Sequence, residues 1–247
     1  MQNSTPTIKI NPKKVLFTLF AITILLVCLS IWGQYLKYFP TSFDMHGAIQ
    51  EFGVDLLMHS FYTDSEANVP TYFNTIILFI PSILLAMIGL SKISINDKFK
   101  FHWIGLAIIF LYLSMDEAAV IHEKLIKPMR SLVNFESYGG VFYFAWVIPG
   151  IAAVLLFIVT YLRFFLHLEN KYKFLFFISL AIYVSGIIGG EMLSGHFAGT
   201  VGLRNFTYVV YTSIEESLEW IGVSLTIYSL LKYMQQYLPE GIAIKVP

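Results

Sequence analysis

Seven carboxylates stand inside otherwise apolar stretches of this chain, in three short motifs. They are Asp116, Glu117 and Glu123 within LSMDEAAVIHEKL, Glu191 within GGEMLSGH, and Glu215, Glu216 and Glu219 within SIEESLEWIG. Two histidines, His122 and His196, accompany them. Each charge at the centre of a bilayer costs about 2.5–3.5 kcal/mol on insertion scales, so these groups cannot lie bare in hydrocarbon. The nearest basic side chains, Lys124, Lys127, Arg130 and Arg204, all fall beyond the ends of the apolar stretches. Protons or a bound cation must supply the remaining neutralisation, with the histidines as further ligands or proton carriers.

A donor set of carboxylate oxygen and imidazole suits Zn²⁺, Mn²⁺, Fe²⁺ or Ca²⁺ better than Cu⁺. The expected ligands of such a divalent metal are Asp116, Glu117, His122, Glu123, Glu191 and His196. Glu215, Glu216 or Glu219 is then the expected catalytic base, taking a proton from metal-bound water. Two familiar metal patterns are missing: Lys124, Leu125 and Ile126 follow His122-Glu123 where a zinc protease would carry a second histidine, and no Glu-x-x-His pair of the di-iron kind occurs. At 100° per residue, Asp116 and Glu123 superpose on a helix and the three glutamates of the last motif share one face. His122 lies about 140° from Glu117, and His196 about 140° from Glu191, so each histidine joins the cluster only where its helix ends or distorts. Gly195 offers such a point. A purely structural network, with protonated carboxyls bonded to Ser114, Ser194, Ser213 and Asn74, competes with this reading. Interhelical polar bonds average only about 0.6 kcal/mol, a small return for so many acidic groups, so the functional reading ranks first. His46, His102 and His167 read as interfacial or solvated.

These residues must be positioned by membrane helices. The chain is 57% hydrophobic and 13% charged, against about 45–50% and about 25% in soluble domains, which excludes a soluble protein. Six segments carry the roughly 20 apolar residues that a spanning helix needs, at 15–36, 71–91, 101–122, 139–165, 174–195 and 206–232. The predicted fold is an all-α polytopic membrane bundle of about six helices, forming one transmembrane domain over 1–247. The 15–36 segment is longer than a signal-peptide core and lacks a small-x-small cleavage site, so it is expected to be retained. Basic residues favour the cytoplasmic side. Placing both termini there puts eleven of the 16 Lys and Arg inside and thirteen of the 16 Asp and Glu outside or in the outer halves of spans. All three acidic motifs then lie in the outer half of the bilayer. Residues 43–61 read as an amphipathic helix on the outer surface. Ser185, Gly186, Gly189 and Gly190 read as a close-packing face. Cys28 is the lone cysteine, which leaves no intrachain disulfide, and zero net charge gives no bulk attraction to nucleic acid.

The series DSEANVPTYFNTIILF, FLYLSMDEAAVIHEKL, GGEMLSGH and EESLEWIG resembles an uncharacterised family of bacterial polytopic membrane proteins carrying a DExxxxHE, GGE and EExxE motif order, over about residues 60–232. That resemblance implies a compact helical bundle in a bacterial inner membrane and supplies no activity. Ceramidase-like and receptor-like membrane hydrolases also use Asp, Ser and His clusters, but their paired-histidine final motif is missing here. The leading reading is a cation site near the outer leaflet, in the service of a metal-dependent enzyme acting on a lipid or another amphiphile. A proton- or cation-coupled transporter and a non-catalytic scaffold or sensor are the alternatives. Membrane lipids are the expected partners, and the sequence leaves the oligomeric state open. Reporter fusions after Lys98, Lys173 and Lys245 should behave as cytoplasmic, and fusions after Asp64, Arg130 and Arg204 as periplasmic. Two or more reversed reporters would overturn the six-span topology.

Overall fold

The computed structural model describes residues 10–39, 48–133 and 140–238, and every regular element among them is helical. Asparagines start three of the helices. Asn11 accepts from the Lys13 and Lys14 amides at the head of α1 (Pro12–Tyr38), with Pro12 where no N–H is needed. Asn68 accepts from Thr71 N to open α3 (Val69–Ser94), and Asn205 accepts from Thr207 N to open α9 (Phe206–Tyr237).

Between α1 and α3, α2 (Ala48–Ser60) covers most of the amphipathic segment expected at 43–61, whose residues 43–47 lie outside the described residues. Its Leu57 rests on Gly33 of α1, where an added Cβ would come within 2.8 Å, and Gln34 Nε2 donates to the Met58 carbonyl at 3.1 Å. Phe52 and Leu56 stay exposed, the face that a membrane surface would cover.

Among the described residues five helical stretches are long and apolar enough to cross a membrane: α1, α3, α4 (Lys100–Ala119), α6 (Val147–His167) and the continuous run Asn170–Val201. That last run consists of α7 (Asn170–Val184), a π-turn at Ser185–Gly190 and α8 (Glu191–Val201). A short α5 (Ile126–Val133) lies between α4 and α6. At 32 residues, α9 is about 48 Å long and runs antiparallel to α1 from end to end. Its Phe206 packs on Tyr35 near one end, and its Gln235 donates to the Ile10 carbonyl at the other. It therefore crosses the same thickness as α1, and only its glutamates keep it from reading as an apolar span.

Most helices run a few residues beyond the expected bounds, and two expected spans are instead cut short. The span expected at 101–122 ends at Ala119, because Val120 adopts a left-handed conformation (φ +52°). The span expected from 139 begins as a helix only at Val147, because Gly140 has φ +94° and residues 140–146 form turns.

The helices alternate in direction, so Lys13, Lys14, Lys92, Lys98, Lys100, Arg163, Lys171, Lys173 and Lys232 gather at one end of the bundle, the basic end. The acidic motifs lie toward the opposite, acidic end. α3 and α4 form an antiparallel pair pinned by Ser82 Oγ to the Ala107 carbonyl (2.8 Å) and Ser114 Oγ to the Thr75 carbonyl (2.9 Å). α9 is the hub, packed against α1, α3, α7 and α8, with Trp220, Val223, Ile227 and Leu230 sealed inside. α7 comes close to it because Gly222 faces the Tyr183 backbone, where a Cβ would sit 2.6 Å from the Tyr183 nitrogen. Gly186 and Gly190 likewise leave room for Glu219 and Glu215, whereas Gly189 faces open space. Gly222→Ala should therefore destabilise the protein in detergent by about 1–3 kcal/mol through overpacking, while Gly189→Ala, where nothing lies within 4 Å, should be neutral or slightly stabilising. Equal thermal stabilities of the two variants would contradict this packing.

Candidate functional site

The α7–α9 approach and the broken end of α4 bring the three acidic motifs around one cavity of about 380 Å³. α4 contributes Asp116 and Glu117, the turn after it His122 and Glu123, α8 Glu191, and α9 Glu215, Glu216 and Glu219. Two further carboxylates line it from the loop between α2 and α3, Asp64 and Glu66. Tyr183, Tyr208, Phe144 and Trp146 complete much of the wall, and among the described residues no Lys or Arg is part of it.

Val120 is the pivot. A β-branched residue with positive φ is strained by about 1–3 kcal/mol, and here the strain turns the chain back on itself. The His122 backbone N–H donates to Asp116 Oδ1 at 2.8 Å, and His122 Nδ1 lies 2.7 Å from Asp116 Oδ2. The imidazole packs against Trp146, with ring centroids 4.6 Å apart, and Trp146 Nε1 donates to Glu191 Oε1 at 3.0 Å. Burial alone would pull the imidazolium down. The hydrogen bond and charge of Asp116 override it, with help from Glu191 and Glu123, and raise His122 to about 9. Both oxygens of Asp116 are thus engaged by His122, a contact that orients the imidazole. The helix break that the sequence required for His122 is thus present at Val120.

The α2–α3 loop is anchored by Thr63, whose amide donates to Ser30 Oγ at 3.0 Å, and by Asn68 Nδ2, which donates to the Tyr62 carbonyl at 2.6 Å. It delivers Asp64 between two phenols: Tyr208 Oη donates to Oδ1 at 3.0 Å and Tyr62 Oη to Oδ2 at 3.1 Å. Asp64 keeps a path to solvent, yet protein atoms crowd most of its sides. That crowding outweighs the two donors and raises the carboxyl to about 7. Burial also raises Glu66 and Glu123, nearer the mouth. On the α3 side, Asn74 is 1% exposed and turns its amide toward Glu117 and Glu219, but neither amide atom completes a hydrogen bond of normal geometry.

Of the nine residues expected from the sequence, eight line the cavity; His196 does not. α8 runs unbroken through Gly195, which serves the close approach of the Phe144 ring, 3.1 Å from where a Cβ would be. His196 therefore stays on the exposed face of α8, apart from the cavity. Asp64, Glu66, Tyr62 and Tyr208 escaped the sequence reading. Asp64 and Glu66 follow directly on the amphipathic helix and precede a span, a place where charge is ordinary, and only their position at the same end as the three motifs could have drawn notice. Among the described residues no three His, Cys, Asp or Glu side chains are already gathered as a metal-binding group.

A family model described as a domain of unknown function (DUF8692) matches residues 15–233, and the chain belongs to that family. No curated protein and no solved structure matches it.

Two groups outside the spans give the site a signed pH dependence. The raised His122 stabilises the fold fully below its ordinary value near 6.5, and that contribution is lost as pH rises through about 9. Asp64, raised from near 3.8 to about 7, adds a penalty that grows over that interval. Stability should thus fall as pH rises from 5 to 9. Asp116→Asn should be less stable than the wild type at pH 6, by a margin that shrinks toward pH 9. The His122 titration, followed by NMR of labelled histidine, should move down toward its ordinary value in that variant. An unmoved titration would show that Asp116 does not hold the imidazolium.

Proposed function

We propose that this member of a family of unknown function is a cation-binding membrane protein, whose cation lies in the acidic cavity beside the Asp116–His122 pair. The single observation that carries this reading is the charge of the wall: among the described residues nine carboxyl groups and one imidazole line the cavity, and no Lys or Arg does. Carboxyls from α8 and α9, such as Glu191 and Glu215, face one another, and they repel unless a proton or a cation lies between them. The excess of Lys and Arg at the opposite end supports an orientation in a bacterial inner membrane with that end in the cytoplasm, so that the cavity draws its cation from the outer side.

Two kinds of cation suit these walls. A divalent metal (Zn²⁺, Mn²⁺, Fe²⁺ or Ca²⁺) would be held by carboxylates such as Glu117, Glu123, Glu191, Glu215 and Glu219, drawn in around it. In a hydrolytic enzyme acting on an amphiphile, Glu216 or a neighbour would take the proton of the attacking water. The His122 imidazolium, held by Asp116, would give its Nε2 proton to the leaving group. An organic ammonium ion is the second kind, its N–H groups donating to carboxylates on several sides. An ion-coupled transport path would need titratable groups continuing toward the basic end, and the space below Tyr183 is instead walled by apolar side chains.

Thermal unfolding in detergent at constant ionic strength tests this reading, with zinc, manganese and calcium chlorides and ethylammonium chloride as probes. At least one should raise the melting temperature saturably, equivalent to about 2.7 kcal/mol at a hundredfold excess over its dissociation constant. Glu216→Gln and Glu219→Gln, which keep shape and remove charge, should weaken that response at least tenfold in concentration. If no probe stabilises the wild type and both amide variants melt like it, protons alone neutralise the cluster and the cation reading is wrong.

A further inference from the structure

We propose that the ligand is a long-chain amine, its ammonium group in the acidic cavity and its hydrocarbon chain in a second, apolar cavity that shares Tyr183 with the first. This rests on the cation reading above and names the class of cation.

The second cavity, of about 320 Å³, lies on the basic side of Tyr183 between α4, α6, α7 and α9. Phe110, Phe157, Tyr161, Leu180 and Leu230 are among its walls, with Thr226 a rare polar group. Ile158, Leu162 and Phe177 on its rim are 45%, 48% and 56% exposed, so it opens sideways where lipid would stand. α6 approaches the π-turn closely. A transmembrane helix about 10 Å across and about 30 Å long occupies on the order of 2,000 Å³, which excludes a helix as the occupant of the cavity. A single hydrocarbon chain is of the right scale.

Tyr183 belongs to both walls, so a molecule that reaches from one cavity to the other passes this ring. A hydrocarbon chain entering from lipid gains no hydrophobic free energy, because lipid tails are as apolar as the cavity. Selection must therefore come from the head, and the only charge complementarity available is for a cation. A bare metal ion would leave most of a cavity of about 380 Å³ to water. An ammonium head fits it better. Its donors have no use for acceptor partners, and they find carboxylates on several sides. Behind two of those carboxylates, the buried amide of Asn74 is turned toward Glu117 and Glu219 and makes no hydrogen bond of normal geometry. Phe144, Trp146 and Tyr208 stand among the carboxylates, which suits cation–π contact.

The test uses full-length protein in lipid nanodiscs with a photoreactive long-chain primary amine, the matching long-chain alcohol, and ethylammonium chloride as a chainless head. The amine should label peptides of α6 and α7 that border the apolar cavity, and the alcohol should label them roughly tenfold less. Ile158→Trp and Leu180→Trp should each abolish the label while leaving stabilisation by ethylammonium intact, because neither touches the acidic wall. Equal labelling by amine and alcohol, or a label indifferent to both tryptophans, would overturn the proposal. Chain-to-chain crosslinks across the α6–α7 opening that exclude the amine would overturn it in favour of a second copy. If ethylammonium fails to stabilise the wild type while a divalent metal does, the amine is refuted and the cation reading stands. If neither stabilises it, the cation reading itself falls.

Discussion

Carboxylates that lie within a membrane bundle, with no Lys or Arg at their depth, set the terms for the rest of this molecule. Each one is tolerable only when something positive, or a proton, stands beside it. The structure answers by concentrating them. Spread over separate helices, every group would need its own counter-charge; around one cavity they can share water, protons and a single bound cation. That sharing demands close approach, and the glycines supply it. Gly222 lets α9 lie against the backbone of α7, and Gly186 and Gly190 leave room for the side chains of Glu219 and Glu215.

Local strain is confined to the same place. Val120 holds a positive φ that its branched side chain resists, and the π-turn at Ser185–Gly190 interrupts the regular ladder directly before Glu191. Both distortions lie on the rim of the acidic cavity, and strained backbone of this kind persists where the surrounding structure and function over-determine it. The first has an identifiable product, the two-point clasp of His122 on Asp116. The second shifts the register between α7 and α8 so that Tyr183 and Glu191, on successive stretches of one long helix, both face inward.

Much of this was legible in the sequence, because the strongest signals are about burial. Apolar length announces the spans, and charge inside apolar runs announces the site, so Asp116, Glu191 and the glutamates of α9 stood out without any structure. What failed depended on the backbone away from ideal helices. The 100° rule predicted that His122 needs a helix break, but nothing in the residues Ala119, Val120 and Ile121 marks one: valine is a poor candidate for a left-handed cap. The same rule made Gly195 a plausible break for His196, and there the glycine serves ring packing instead. Asp64 was invisible for the opposite reason, since an acidic residue in a loop is unremarkable until Tyr62 beside it and Tyr208, far along the chain, are found holding it. The apolar cavity beneath Tyr183 could not be seen at all, because a space between helices is a property of packing and leaves no trace in hydropathy.

The central claim is that the cavity is neutralised by protons when empty of ligand, and that a cation displaces them. Proton release on binding measures this directly, by calorimetry of cation titration in buffers of different ionisation enthalpy, or with a pH indicator in weakly buffered solution. The account predicts release of protons as the cation enters at pH 7, diminished in Glu216→Gln and Glu219→Gln. Cation uptake with no proton release, unchanged in those variants, would place the binding elsewhere and contradict it.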